Sequence, residues 1–227
     1  MRTIVYIDGY NLYYSILRQS RYKWLDMVKL FSAHILHAQD PKLHLIGLKF
    51  FTSPVKAKFA AHGRDSVTAQ NEYHRALKAI YGDFVEVIPG FHETLKHPMM
   101  RHREPPLRHD RVDVWSIEEK QTDVNLALHL YRDAARHSAD CFVVCSNDSD
   151  VEPAMALIRQ DFPEHQLGLV VPLPAQAQAQ THRFANKRLT QQAHWVRHTI
   201  REDELQRSQL NDVVPTPRKA ARKPAHW

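Results

Sequence analysis

Five apolar residues, Cys141-Phe-Val-Val-Cys145, lead without a break into Ser146-Asn-Asp-Ser-Asp150. A helical pattern follows, with Ala154, Leu157 and Ile158 on one face. A short run that is apolar on every side reads as a strand buried on both faces, the pattern of a parallel sheet covered by helices. Asp148, Asp150 and Glu152 are thus placed where a parallel strand ends and a helix begins, the point at which open α/β sheets hold their ligands. Helix capping explains part of this, with Asp150 as the cap and Pro153 in the first turn. Capping accounts for one aspartate, not for two around an exposed turn.

The amino end repeats the arrangement. Thr3–Ile7 is an apolar, β-branched strand that delivers Asp8 to its carboxyl end. Gly9-Tyr10-Asn11 then opens a helix with Leu12, Ile16 and Leu17 inward. Further along, the spacing predicts a helix over Trp24–His37 and a strand over Leu43–Phe51. A helix over Ser66–Ile80, with Val67, Tyr73, Leu77 and Ile80 inward, and a strand over Phe84–Ile88 come next. Thr122 can cap a helix whose first turn holds Asp123. A helix over 153–161, a strand over Gln166–Val171 and a low-complexity loop over Pro172–Gln180 follow. A short helix over 185–193, a small strand at Trp195-Val196 and a charged surface helix over Arg201–Leu210 close the pattern.

Strands alternating with helices predict an α/β fold, a three-layer α/β/α sandwich with a mostly parallel central sheet. In it the strands ending at Ile7 and Cys145 sit side by side. Asp8, Asp148 and Asp150 then converge, and Asp123 joins them from its helix start. The expected domain covers residues 1–200, with a basic insertion at about 91–112. A C-terminal helix over 201–210 and a disordered basic tail over 211–227 complete the division.

Charge adds a partner. The net charge is +6, and two segments carry all of it. Residues 96–111 hold five cations against Glu104 and Asp110, and residues 212–227 hold four against Asp212, so each contributes +3. Concentrated positive charge is the footprint of a nucleic-acid partner. The insertion 91–112 is rich in His, Arg and Pro and lacks helical periodicity, which marks an exposed loop or a hairpin returning through Val112–Ile117. Its histidines, His92, His97, His102 and His109, have no metal-finger spacing and read as solvated. No apolar stretch approaches the ~18 residues of a membrane span, and the start reads as a strand, not a signal peptide. Cys141 and Cys145 lie four residues apart in one strand, ~13 Å against the ~7 Å that a disulfide tolerates. Reduced thiols of this kind agree with a cytoplasmic location.

Three or four aspartates gathered without cations repel one another, and a hard divalent ion such as Mg²⁺ or Mn²⁺ relieves this. Such an ion neutralises a phosphodiester and prepares a water for attack on phosphorus. Asn11, Ser146 and Asn147 can orient a phosphate or a water, and Tyr10 is the tyrosine best placed to stack on a base.

The residues match a family. Asp8-Gly-Tyr-Asn-Leu-Tyr13 resembles the D-G-x-N-[LF] opening of the NYN domain, a branch of the PIN-like nucleases. Lys120-Gln-Thr-Asp123, with Val124 and Leu126-Ala127, resembles its K-G-x-D-V-x-L-A motif, and Ser146–Asp150 with Pro153 its S-G/N-D-x-D-[FL]-x-P motif. The resemblance covers roughly residues 1–200. It implies a PIN-like sandwich, acidic residues holding Mg²⁺ or Mn²⁺, and ribonuclease or RNA-processing activity. By motif position Asp8, Asp123 and Asp148 are the implied metal ligands and catalytic acids, with Asp150 a fourth and Asn11 a polar helper. Lys120 and the insertion arginines Arg101, Arg103 and Arg108 are the expected contacts to the strand. The expected partners are RNA and, as an assembly, a homodimer, with no membrane. The sequence departs from the motifs at Gln121, where glycine is usual, at His129, where many members carry aspartate, and at Val151, where an aromatic residue or leucine is usual.

Two further function classes stay open. One is an RNA-binding module with little turnover, told apart by cleavage of labelled RNA. The other is a pyridine-compound hydroxylase using NADH, as some relatives are labelled. The chain has six glycines and none forms a G-x-G-x-x-G turn.

Overall fold

A computed structural model describes residues 1–175 and 184–227. Six strands form one parallel sheet: β1 (Arg2–Asp8), β2 (His44–Thr52), β3 (Val85–Pro89), β6 (Cys141–Cys145), β7 (Gln166–Val170) and β8 (Trp195–Arg197). Their order is β3-β2-β1-β6-β7-β8. The chain lays strands outward from β1 in one direction and then returns to lay β6 on its other side. The switch point lies between β1 and β6, paired in parallel from Thr3↔Cys141 to Ile7↔Cys145. The sequence expectation of adjacent aspartate-bearing strand ends holds.

Helices cover both faces because the strand side chains alternate. Val5, Ile7, Val143 and Cys145 point into one core with α1 (Gly9–Leu12), α2 (Met27–Lys29, extended by π-helical Leu30–Leu36 and by His37–Gln39) and α3 (Arg64–Tyr81). Ile4, Tyr6, Phe142 and Val144 point into the other, against α4 (Thr122–Ala135), α5 (Glu152–Asp161) and α6 (Lys187–Gln192). Asp8 is on the Ile4–Tyr6 side of β1, the side that α4 covers. That parity brings Asp123 towards it. Both cysteines are buried and reduced, and burial pushes the Cys141 thiol up to about 12.

The insertion is a hairpin. β4 (Phe91–Met100) and β5 (Arg111–Lys120) pair from Phe91↔Lys120 to Met100↔Arg111. Its base is pinned at Gly90, where an added Cβ would lie 2.3 Å from the Thr122 hydroxyl and 2.7 Å from the Lys120 carbonyl.

Several expectations need correction. Trp24 precedes α2 and is fully buried, and Asp26 caps that helix by accepting from the Lys29 amide at 2.9 Å. Ile80 and Leu157 are exposed, because each faces away from its sheet, and Met155 takes the inward place in α5. The C-terminal helix α7 (Glu202–Arg207) is not only a surface element, since Glu204 is buried and accepts from Arg197 at 2.5 Å. The expected disordered tail packs instead. β9 (Val213–Val214) and β10 (Ala221–Arg222) form a small antiparallel pair, and Val214 and Ala221 are buried. The Trp24 indole donates to the Asn211 carbonyl at 2.8 Å, and the Trp227 ring lies 5.8 Å from that of Tyr73. Proline and charge suggest disorder, but three apolar side chains find an open face of the core. The loop expected over Pro172–Gln180 falls from 176 on outside the described residues.

Candidate metal centre

The centre is built from strand ends and helix starts. Gly9 must follow Asp8 closely packed against β2, for an added Cβ would lie 2.6 Å from the Phe51 carbonyl. Asp8 caps α1, one carboxylate oxygen accepting from the Asn11 amide at 2.9 Å. The other accepts from the Ser146 hydroxyl at 2.7 Å, which itself accepts from the Asp148 amide at 3.0 Å. Asn11 reaches across β1–β6 to accept from the Asn147 amide at 3.1 Å. The first and third motifs are thus stitched together by their own polar residues.

Two roles differ from expectation. Ser146 is fully buried, so it orients Asp8 and reaches no substrate. Asn147 is spent on the chain beyond the sheet, donating to the Phe184 carbonyl and accepting from the Asn186 amide at 2.8 Å. The cap after β6 is Asp148, not Asp150: its carboxylate accepts from the Asp150 amide at 3.1 Å. Asp150 stays exposed, and Glu152 accepts from Gln192 at 2.8 Å.

The second motif enters through α4. Gln121 precedes it with φ 71°, a left-handed conformation that glycine adopts without cost. This is the position where the motif usually has glycine. Thr122 does not cap the helix and donates to Glu119 at 2.8 Å instead. Asp123, in the first turn, is half-buried.

The electrostatics tie the set together. Burial raises Asp8 to about 6 against the Asn11 and Ser146 hydrogen bonds, and the charges of Asp123 and Glu119 add to it. Burial raises Asp123 to about 6 as well, followed by the charges of Asp148, Glu119 and Asp150. Among the described residues no Lys or Arg forms an ion pair with Asp8, Asp123, Asp148 or Asp150. An oxygen-only donor set with uncompensated charge fits a hard divalent cation. The set is open. The group of three donors within 4.8 Å of one another among the described residues is His137, Glu164 and His165, at the other end of the sheet. The wider spacing of the aspartates suits an ion that keeps several waters.

Glu119 was missed by sequence reasoning. It lies one residue before the K-G-x-D-like motif, and its signal was that position alone. His129 is packed edge-to-face on Phe51 at 5.6 Å, so it is no plain surface residue. Lys120 is committed to Glu118 at 2.5 Å, which competes with any contact to a strand. Arg101 and Arg103 pair with Asp110, and with Arg108 they lie towards the hairpin tip, about 30 Å from its base at ~3.3 Å per residue. They are not part of the centre. Tyr10 is exposed beside it, its ring 4.4 Å from that of Tyr14.

A parallel sheet with an acidic centre at its switch point defines a PIN-like α/β protein with a nuclease-type fold. The NYN domain family model matches residues 2–184, and the chain belongs to that family. Among curated proteins it is similar to 6-hydroxy-3-succinoylpyridine 3-monooxygenase HspA of Pseudomonas putida (strain DSM 28022 / S16). The two are 37% identical over 243 residues, covering all of this chain and 75% of that protein. Among solved structures it resembles a protein of unknown function from Vibrio parahaemolyticus, with a TM-score of 0.50 and 14% identity over 89% of this chain and 94% of that one. The latter likeness concerns the fold alone. No described helix is long and apolar enough to cross a membrane.

Proposed function

We propose that the protein is a metal-dependent ribonuclease that hydrolyses RNA phosphodiester bonds at the acidic centre. The observation that carries this reading is the carboxylate set at the switch point, which no Lys or Arg pairs with among the described residues, with Asp8 and Asp123 both raised to about 6. Asp8, Asp123 and Asp148 would hold Mg²⁺ or Mn²⁺, with Asp150 and Glu119 nearby. When bound, the ion neutralises the phosphodiester and lowers the pKa of an attacking water. The chain's own residues do the rest. Ser146 and the Asn11 amide fix the Asp8 carboxylate, so the ligand is oriented before substrate arrives. The Asp150 amide does the same for Asp148. Asn11 holds the two strand ends together. Hydrolysis adds water across one P–O bond and leaves a phosphate end and a hydroxyl end.

Labelled RNA incubated with Mg²⁺ or Mn²⁺ tests this. Cleavage by the wild type, its loss with EDTA and its loss in Asp148→Asn are expected. RNA binding without cleavage under every metal condition overturns it.

A second reading is hydroxylation of a pyridine-type ring. It is favoured by the relative named as a monooxygenase, which this chain matches along its whole length. NADH oxidation and oxygen uptake that depend on added 6-hydroxy-3-succinoylpyridine, without RNA cleavage, would put this reading first.

A further inference from the structure

A cavity of about 440 Å³ lies against the Gly9-Tyr10 turn. That volume is within the roughly 300–1,000 Å³ of ordinary ligand pockets. It shares a wall with the acidic centre. Gly9 and Tyr10 follow Asp8 directly, and His92, which also lines the cavity, pairs across the hairpin with Glu119.

The lining has two chemistries. One is aromatic: Tyr10, Tyr14, Phe59 and Trp227 face the space. Tyr10 and Tyr14 are 42% and 46% exposed, so the core does not use their faces. The other is cationic: Arg18, Lys23 and Lys56 line the same cavity, and no aspartate or glutamate does among the described residues. None of the three cations is ion-paired with a carboxylate among those residues. Burial lowers the pKa of Lys23, as expected of an ammonium that has lost water without gaining a partner. The wall also holds a buried ring nitrogen, His226 Nε2, with no hydrogen-bond partner among the described residues.

A ring-lined cavity with three cationic side chains and, among the described residues, no Asp or Glu side chain thus adjoins the carboxylate set. A cation-binding centre and an anion-binding cavity side by side are what a strand needs if one of its phosphates meets a metal while its neighbour is gripped by the protein. The exposed parts of the rings then offer the base a surface to stack against, by stacking that tolerates several bases.

We propose that this cavity seats one nucleotide of the substrate strand, its base against Tyr10, Tyr14 and Trp227 and its phosphate against Arg18, Lys23 and Lys56. This rests on the reading of the neighbouring centre as an RNA-hydrolysing one and assigns its substrate subsite.

Calorimetric titration of the full chain with nucleoside 5′-monophosphates in EDTA tests the cavity without the metal centre. Binding is expected in the wild type and in Asp148→Asn. It is expected to weaken about tenfold in Lys23→Met/Lys56→Met, through lost charge-assisted contacts, and by a similar factor of about ten in Tyr14→Leu, through lost stacking. Circular dichroism and melting temperature check that both variants are folded. In RNA cleavage the same variants are expected to raise KM and alter base preference while kcat holds. Failure of every monophosphate to bind the wild type overturns the inference, as does equal binding by the variants. So does binding of 6-hydroxy-3-succinoylpyridine with no monophosphate competing. The two readings fail separately. Monophosphate binding without RNA cleavage keeps the cavity and removes the nuclease, whereas cleavage with wild-type KM and base preference in both variants keeps the nuclease and removes the cavity.

Discussion

Asp8 and Asp133 are both buried, 3% and 5% exposed, and the protein treats them in opposite ways. Asp133, on α4, accepts from Lys49 of β2 at 2.6 Å and from the Tyr6 hydroxyl of β1 at 2.7 Å. Burial pushes its pKa up, but the Lys49 and Tyr6 hydrogen bonds and the charges of Lys49 and Arg132 together outweigh burial and hold the carboxyl below its usual range. Asp8 has a hydroxyl and an amide as partners and further carboxylates as neighbours, and it is raised to about 6. A buried carboxylate with its cation built in serves as a cross-link between sheet and helix. One whose cation is left out is free to take an ion from solution. The comparison separates the fold's carboxylate from the site's.

Breaking the first side should have the largest effect. Lys49→Met leaves the buried Asp133 with the more distant Arg132, 3.5 Å away, as its remaining cation among the described residues and should destabilise the protein by about 3 kcal/mol, read from urea denaturation. The metal centre should be untouched once the variant is folded. Breaking the second side should act on chemistry instead. On the nuclease reading, Asp8→Asn should lower RNA cleavage by at least about a hundredfold, about 2.7 kcal/mol of barrier. Its metal-free stability should not fall, because a desolvated charge is removed. A large loss of stability in Asp8→Asn would show that the aspartate is structural.

Acid sharpens the contrast, because the signs are opposite. Asp8 and Asp123 have folded pKa values above the ordinary 3.8. The folded state then binds more protons than the unfolded one, so their contribution is present at low pH and lost as pH rises from about 4 to about 6. Asp133 is depressed, so its contribution is present above the ordinary carboxylate pKa and lost as pH falls through its lower folded value. Denaturation at several pH values, wild type against Asp8→Asn, should separate the two trends. Mn²⁺ requires the ionised carboxylates, so its affinity should rise about tenfold or more between about pH 5 and about pH 6.5, measured by calorimetry. The smallest effect is expected at the entry to α4. Gln121→Gly removes a left-handed side-chain-bearing residue and should stabilise by about 0.5 kcal/mol, the strain relieved less the added freedom of the unfolded chain. A denaturant midpoint shift will read it.

Much of the fold was legible because its signals are local. Most strands in the sheet centre on a short apolar run, and the lack of helical period over 91–112 left an exposed loop or a hairpin returning through Val112–Ile117 as the expectations, of which the hairpin is what forms. What was misread depended on distant partners. Leu157 and Ile80 have the right spacing for an inward face, but helix orientation is set by packing and both point outward. The tail has a disordered composition, yet Val214, Ala221 and Trp227 have somewhere to bury. Ser146 has the sequence setting of a free polar residue at a strand end, but its buried hydroxyl donates to Asp8. Glu119 had no motif position and joins the centre only because the base of the hairpin brings its charge within reach of Asp8 and Asp123.

By itself the sequence determined the parallel α/β class, the strand-end positions of Asp8 and Asp148 and the helix-start position of Asp123, because period and polarity are written in neighbouring residues. Only the tertiary structure decided which carboxylates lack a cation among the described residues, since Lys49 reaches Asp133 across 84 positions of chain and no described Lys or Arg pairs with Asp8. It also decided that three cations and a set of rings, drawn from α1 and the segment that follows it, the loop after β2 and the carboxyl-terminal segment, close one cavity beside the acids. Charge balance inside a protein depends on distance in space, and that is settled by folding.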